Sequence, residues 1–280
     1  MNQDFEGRIT LLIRDDGSSD NTREIIEEYK SVNDRSVILI DGDNIGPQKS
    51  FLLLIRYAED SDYYFFADQD DIWYPEKISR GINSLKTANE PACYCSNYDI
   101  YFSETSTYMR KAINNIPDFT PIKVVMYNQI PGCVMGFNRS LMDILKKIDL
   151  NDVMMHDSMV LSLAVSTGIV IYDQNPSIAH RIHEDNVIGE GNKKIEPSKW
   201  IKEKASLIKN KESYDISRMA GEFLKTGNVK DQWIMDLGLL RDFKKNWKNT
   251  FSLLRHKDTH GTFGSRTTLS IRSKILFHLF

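Results

Sequence analysis

The stretch ADQDDIWYPEKI, residues 67–78, decides the fold. It closes a short apolar run that predicts a buried strand, and it leads into a helix predicted at 75–86 with proline in its first turn. A second acidic stretch, RDDGSSDNT at 14–22, also follows an apolar run and precedes a helical pattern. Further strands are predicted at 37–40 and 93–101. This strand–helix alternation predicts an α/β protein with a mostly parallel sheet and helices on both faces.

Both acidic stretches stand where a strand ends. Ligands of open α/β sheets bind beyond the carboxyl ends of the strands, so we expect the two stretches to face one crevice. Asp68 and Asp70 repel each other unless a cation joins them, and paired carboxylates suit Mg²⁺ or Mn²⁺. The alternative is local: Asp15, Asp20 and Asp71 could each cap a helix or begin a turn.

Composition sets limits on the class of protein. The chain has 280 residues, 41% hydrophobic and 27% charged, which excludes a mainly disordered, collagen-like or multi-span membrane protein. With 36 Lys and Arg against 39 Asp and Glu the net charge is −3, which argues against a nucleic-acid partner held by overall charge. The charge is uneven, because residues 241–280 carry nine basic and two acidic residues. The chain therefore combines an acidic body of −10 with a basic tail of +7.

The three cysteines form no paired framework, so a reduced, cytoplasmic setting is the default. Cys93 and Cys95 lie two apart in a predicted strand and therefore share one face. With no CxxC pair or nearby histidine, we expect them to face the core and not a metal.

Six motifs occur in a fixed order and resemble those of family-2 inverting glycosyltransferases of the GT-A fold, most closely the rhamnosyltransferase-like subgroup of bacterial surface-polysaccharide synthesis. The resemblance spans residues 2–189. The motifs are RDDGSSDNT (14–22), NIGPQKSF (44–51), ADQDDIWYPEKI (67–78), IPGCVMGFNRSL (130–141), MHDSM (155–159) and HRIHEDNVIG (180–189).

The resemblance implies a role for each binding residue. Asp16 should hydrogen-bond the nucleobase, and Asp68 and Asp70 should hold Mn²⁺ or Mg²⁺, with Asp70 as the direct ligand. His183 should complete the metal shell or bond the diphosphate, the alternative being an ordinary loop histidine. Gly132 should let the backbone approach the nucleotide-sugar, the alternative being a bulge.

The resemblance also implies the chemistry. Asp157 should be the general base that deprotonates the acceptor hydroxyl. Asp157 could equally cap a helix predicted at 159–165, and the two roles are compatible. The implied donor is dTDP-rhamnose or a UDP-sugar, and the implied acceptor is a glycan or a lipid-linked molecule.

The chain divides into a predicted glycosyltransferase domain at 1–190 and a helical region at 191–280. In the tail, Ile271, Ile275 and Leu279 follow a helical spacing with Arg272 and Lys274 off the stripe. This pattern favours either peripheral contact with the inner face of the membrane or a terminal helix docked on the body.

Compared with the family pattern, a strand and helix that normally precede the RDDGS strand are missing. We therefore expect either a misassigned start or a truncated copy. Two other classes stay open: a non-catalytic glycosyltransferase remnant and a Mg²⁺-dependent phosphoryl-transfer enzyme. The second ranks last, because the chain has no P-loop.

Overall fold

The structure is a computed structural model, and it describes residues 3–32, 36–149, 154–182, 215–259 and 265–278. The helices are α1 (Thr22–Val32), α2 (Gly46–Tyr57), α3 (Lys77–Leu85), α4 (Pro121–Met126), α5 (Arg139–Leu145), α6 (His156–Thr167), α7 (Ile216–Lys225), α8 (Asp231–Asp242), α9 (Trp247–Leu254) and α10 (Ser265–Leu276). The strands are β1 (Leu11–Asp15), β2 (Val37–Asp41), β3 (Tyr63–Phe65), β4 (Ile72–Trp73), β5 (Ala92–Phe102), β6 (Thr107–Met109), β7 (Met135–Asn138) and β8 (Ile169–Ile182).

The strands form two sheets. β1 and β2 make a parallel pair of their own. The larger sheet has the order β3-β7-β5-β8-β4, with β6 paired to β5. Its longest pairing, β5 with β8, is parallel, whereas β7 and β4 run antiparallel to their neighbours. The sheet is thus more mixed than the strand–helix alternation predicts, as is common in large α/β sheets.

The predicted elements are present with shifted ends. Helix α2 begins at Gly46, inside the NIGPQKSF motif, with proline in its first turn. Gly46 has a φ of 81°, a left-handed conformation that favours glycine, and its N–H is already bonded to a side chain of the turn after β1. The apolar spacing predicts the body of this helix, and a contact with distant residues sets its start.

One hydrophobic cluster joins the larger sheet to the C-terminal helices. Cys93 and Cys95 are completely buried in it, as predicted from their spacing. The same cluster includes Phe223 of α7, Leu240 of α8 and Leu253 of α9. The helical region is therefore packed directly on the body.

The position of α10 decides whether its apolar stripe faces a membrane or the body of the protein. Ile271 and Ile275 of α10 are buried in the core cluster, so this stripe cannot face a membrane. The reason is packing: the apolar side chains cover the core, and Arg272 is left in solvent. Leu279, the third residue of the stripe, lies outside the described residues. Within the described ranges, no helix has the length and apolarity needed to cross a bilayer.

Candidate active site

The turn after β1 is held by its own carboxylates. Asp15 accepts hydrogen bonds from the N–H and hydroxyl of Ser18, and Asp20 accepts one from the N–H of Thr22 at the start of α1. The local capping alternative is therefore correct for Asp15 and Asp20. Gly17, with φ of 80°, supplies the left-handed conformation that this turn requires.

Asp16 instead reaches across to α2. Its Oδ1 accepts from the N–H of Ile45 at 2.9 Å and its Oδ2 from the N–H of Gly46 at 2.8 Å, which satisfies two donors at the start of that helix. Arg14 pairs with Asp16 and donates to the hydroxyl of Ser50 at 2.9 Å. Burial alone would raise the pKa of Asp16, but these hydrogen bonds together hold it below its ordinary value.

The loop after β3 gathers three carboxylates. Burial, followed by the charges of Asp71 and Asp70, raises the pKa of Asp68 to about 6. Burial thus keeps this carboxyl group protonated to a higher pH than an exposed one. The charge of Asp70 contributes to this rise, and the shared cation stays a prediction.

Asp71 is tied to β8. His180 Nδ1 lies 2.8 Å from Asp71 Oδ1, and the N–H of Arg181 donates to the same oxygen at 3.2 Å. The hydrogen bond to Asp71 is the main cause that raises the pKa of His180. Asp71 Oδ2 is buried with no hydrogen-bond partner among the described residues. The capping alternative is wrong for Asp71, because its partners are on a strand more than a hundred residues away.

Lys77 lies beneath this loop. Its ammonium group is completely buried, donates to the backbone oxygen of Cys133 and lies 4.4 Å from the centre of the Trp73 ring. Burial lowers the pKa of Lys77 to about 8, against the opposing charges of Cys133, Asp71 and Asp68. Trp73 packs against the core cluster.

Gly132 and Cys133 join the acidic loop to α6. The thiol of Cys133, the carboxylate of Asp71 and the imidazole of His180 present ligand atoms within 4.8 Å of one another. On the other side, a Cβ on Gly132 would lie 2.5 Å from His156 Nε2 and 3.5 Å from Asp157 Cβ. Glycine is required at position 132 because the His156 ring fills the space beside it.

Asp157 stands in the first turn of α6. The helix begins after Met155, so Asp157 is inside the helix and does not cap it. Its carboxylate accepts from the N–H of Ser158, and burial raises its pKa. A buried carboxylate at a helix start, with a raised pKa, has the properties of a general base.

The structure places Gly132 beside Asp157 and Cys133 beside Asp71, the neighbour of Asp70, and it places Asp16 at the start of α2. His183 lies outside the described residues. Sequence reasoning missed the roles of His180 and Lys77. His180 begins the HRIHEDNVIG motif (180–189), in which only His183 was predicted to be a site residue.

The donors fit a hard divalent cation. Asp68 and Asp70 offer carboxylate oxygens, and the buried Asp71 Oδ2 has no hydrogen-bond partner among the described residues. Asp68 and Asp70 would hold the ion.

Comparison with known proteins identifies the family of the chain. The model of the family described as glycosyl transferase family 2 matches residues 1–149. The dTDP-rhamnosyl transferase RfbG of Shigella flexneri is 30% identical over 192 residues, which cover 65% of this chain and 65% of that protein. The match thus spans slightly under two thirds of the relative.

Two solved structures were matched to this chain. The crystal structure of TarS of S. aureus has a TM-score of 0.50 and 15% identity, covering 92% of this chain and 42% of TarS. GalNAc-T7, solved with UDP, GalNAc and Mn²⁺, has a TM-score of 0.46 and 12% identity, covering 81% of this chain and 50% of that one. The likeness to TarS confirms the α/β GT-A fold predicted from the motifs.

Proposed function

Because the chain belongs to glycosyl transferase family 2, we propose that it is a metal-dependent inverting glycosyltransferase that moves a sugar from a nucleotide-sugar to a surface-polysaccharide or lipid-linked acceptor. One observation carries the proposal. Gly132 lies against the helix turn that bears Asp157, and its neighbour Cys133 lies within 4.8 Å of Asp71, in the loop that also bears Asp68. The candidate base and the candidate cation site therefore lie next to the same segment, residues 132–133.

Asp70 and Asp68 are the proposed metal ligands, with His183 as a further one. When bound, Mn²⁺ or Mg²⁺ would neutralise the charge of the donor diphosphate and so improve the leaving group. Lys77, fixed beneath the loop, supports Asp68 and Asp71 electrostatically. The protein's part is to hold the carboxylates in place before the donor arrives.

Asp157 is the proposed base. The acceptor hydroxyl oxygen forms a bond to the anomeric carbon while the bond from that carbon to the diphosphate oxygen breaks. The hydroxyl proton passes to Asp157, and the diphosphate leaves with the electron pair. One such displacement inverts the anomeric configuration. The raised pKa of Asp157 brings its basicity closer to neutral pH, which favours proton transfer.

Asp16 and Gly132 are the proposed contacts to the nucleotide-sugar. Asp16 accepts from two backbone N–H groups and from Arg14, but a carboxylate offers about four acceptor sites and this side chain is partly exposed. Its fixed position leaves an oxygen available for a donor N–H of a base. At Gly132 the contact would be through the backbone.

The relative named as a dTDP-rhamnosyl transferase supports dTDP-rhamnose as the donor, with a UDP-sugar as the alternative. We place the reaction in the cytoplasm, where nucleotide-sugars are made, at the inner face of the membrane. The acceptor would then be presented by a lipid.

Peripheral membrane contact is proposed through residues 241–280, on a surface different from the buried stripe of α10. Trp247 and Phe251 of α9 are 61% and 50% exposed, and their rings lie 6.3 Å apart. Lys248 and Arg255 line a surface hollow with Phe251. Aromatic rings flanked by cations suit an anionic lipid surface.

The test combines binding and turnover. Calorimetric titration of the folded protein with dTDP and UDP, with and without Mn²⁺, measures nucleotide binding. Mass spectrometry of acceptor glycans incubated with dTDP-rhamnose or UDP-sugars measures transfer. Asp70→Asn should abolish the Mn²⁺-dependent part of nucleotide binding. Asp157→Asn should bind nucleotide as the wild type does and lose transfer by at least about a hundredfold.

Two results would contradict the proposal. A folded sample that binds no nucleotide with any metal would indicate a non-catalytic remnant. Transfer that is unchanged in Asp157→Asn would assign the base to another residue.

A further inference from the structure

A second group of ligand-type side chains lies in the C-terminal helices. Asp236 is on α8, His256 follows α9 and Asp258 lies in a 3-10 turn at Lys257–Thr259. Each offers one ligand atom, and the three atoms lie within 4.8 Å of one another. None of these residues belongs to a motif that the proposed function uses.

The imidazole of His256 stands between the two carboxylates. Its Nε2 lies 3.4 Å from Asp236 Oδ1, and its Nδ1 lies 3.9 Å from Asp258 Oδ2. Ligands about 2.1 Å from one tetrahedral ion are separated by roughly 3.4 Å. One ring nitrogen would bind the ion, so the three ligand atoms, now within 4.8 Å of one another, would move closer by up to about 1.4 Å to reach that separation.

Asp258 points to a missing partner. The residue is 3% exposed, and its Oδ2 is buried without a hydrogen-bond partner among the described residues. Its Oδ1 lies 3.8 Å from the ammonium of Lys123, which makes a closer pair with Asp118. A buried carboxylate oxygen with so little compensation costs free energy unless a cation or donor meets it.

We propose that Asp236, His256 and Asp258 form a divalent-metal site of the zinc type that holds α8, the end of α9 and the following turn together. One imidazole nitrogen with two carboxylate oxygens is a donor set that Zn²⁺ accepts, with water as the fourth ligand. The side chains of His256 and Asp236 are 21% and 16% exposed, which gives an ion and its water a route in. The site is independent of the proposed glycosyl transfer.

Zinc retention tests the site on the full chain. The protein is loaded with Zn²⁺, dialysed against metal-free buffer and analysed for metal content and for the rise in melting temperature on Zn²⁺ addition. Compared with wild type, His256→Gln and Asp236→Asn should each lose one zinc equivalent and most of the rise in melting temperature. Their Zn²⁺ affinity should fall at least about tenfold. His180→Ala, which alters the group near the acidic loop, should keep that equivalent.

The absorption spectrum of bound Co²⁺ shows which of the two groups of ligand-type side chains holds the metal. Co²⁺ at the proposed site has nitrogen and oxygen ligands and should show visible absorption without a thiolate charge-transfer band, whereas the group near the acidic loop includes Cys133. Urea unfolding in EDTA should show both variants folded as stably as metal-free wild type. The proposal is overturned if wild type retains no zinc, if both folded variants retain as much as wild type, or if the absorption depends on Cys133.

Discussion

The imidazole ring of His156 lies flat on the phenyl ring of Phe51, with centroids 3.9 Å apart and 19° between the planes. Phe66 meets the same imidazole edge-on at 4.8 Å. Neither ring nitrogen has a hydrogen-bond partner among the described residues. Burial lowers the pKa of His156 to about 3, so the ring next to the candidate base is neutral and apolar in behaviour.

The first prediction concerns acid stability. Since the pKa of His156 is lower in the folded state than the ordinary value near 6.5, the unfolded chain takes up the proton first. The free energy of unfolding therefore falls as pH decreases from about 6.5 toward 3, by about 2 kcal/mol at pH 5. His156→Leu should lose this pH dependence, which urea unfolding at pH 7.5 and pH 5 measures. Parallel pH curves for the two proteins would refute it.

The second prediction concerns Gly132→Ala. The added Cβ would meet His156 Nε2 at 2.5 Å, and His156 cannot move because two aromatic rings enclose it. We expect a loss of about 1–3 kcal/mol in the free energy of unfolding, with reduced transfer since Asp157 follows His156. Gly238→Ala is the control. It lies inside α8 with nothing within 4 Å among the described residues, and should gain about 0.5–1 kcal/mol. Equal effects at both sites would contradict the prediction.

Gly132 and His156 also show what the sequence alone does not predict. Periodicity and turn residues predict the strand–helix order, because both are local. The family resemblance implies that Gly132 lets the backbone approach a ligand, whereas in the structure it makes room for the His156 ring of α6. Which side chain fills a gap depends on tertiary packing, and no local pattern encodes it.

The partners of the acidic loop show the same limit. The sequence places Asp68 and Asp70 correctly at a strand end, but the bond from Asp71 to His180 joins residues 109 apart. Likewise, the helix at 75–86 is predictable and the burial of Lys77 is not, because its acceptor belongs to Cys133. The acidic residues of the site are neighbours in the sequence, whereas their partners come from distant parts of the chain.

The third prediction concerns Asp68. Its pKa of about 6 in the folded protein exceeds the value of 3.8 for a free carboxyl group, so its stabilising contribution is present below pH 3.8 and is lost as pH rises through 6. Metal-free Asp68→Asn should therefore lose less stability between pH 4 and 7.5 than wild type. Mn²⁺ should raise the melting temperature of wild type above pH 6, but not that of the variant.

A matched control is Asp62→Asn, whose side chain is 86% exposed. It should titrate and respond to Mn²⁺ like wild type. If Asp68→Asn keeps the full Mn²⁺ response, Asp68 is not a ligand.

The fourth prediction concerns Lys77→Met. The change removes the donor to the Cys133 carbonyl and the buried cation near Asp68, so we expect a loss of about 2 kcal/mol or more in stability. Without that cation the pKa of Asp68 should rise further, and the pH at which Mn²⁺ begins to stabilise the protein should rise with it. Lys86→Met, exposed at the end of α3, should change neither quantity. A stability loss without a shift in the Mn²⁺ response would limit Lys77 to packing.

The fifth prediction concerns the surface of α9. Replacing Trp247 and Phe251 with serine should reduce the fraction of protein that floats with anionic vesicles several-fold, because the exposed rings and neighbouring cations act together. Salt should weaken wild-type binding, since about 0.1 M salt screens charges beyond roughly 10 Å.

The control replaces two exposed apolar residues elsewhere, Ile25 and Val32 of α1, with serine. Only the α9 pair should matter. If both pairs reduce flotation equally, binding is unspecific. If neither does, the basic tail has another partner, and the lipid-linked acceptor must be reached without this surface.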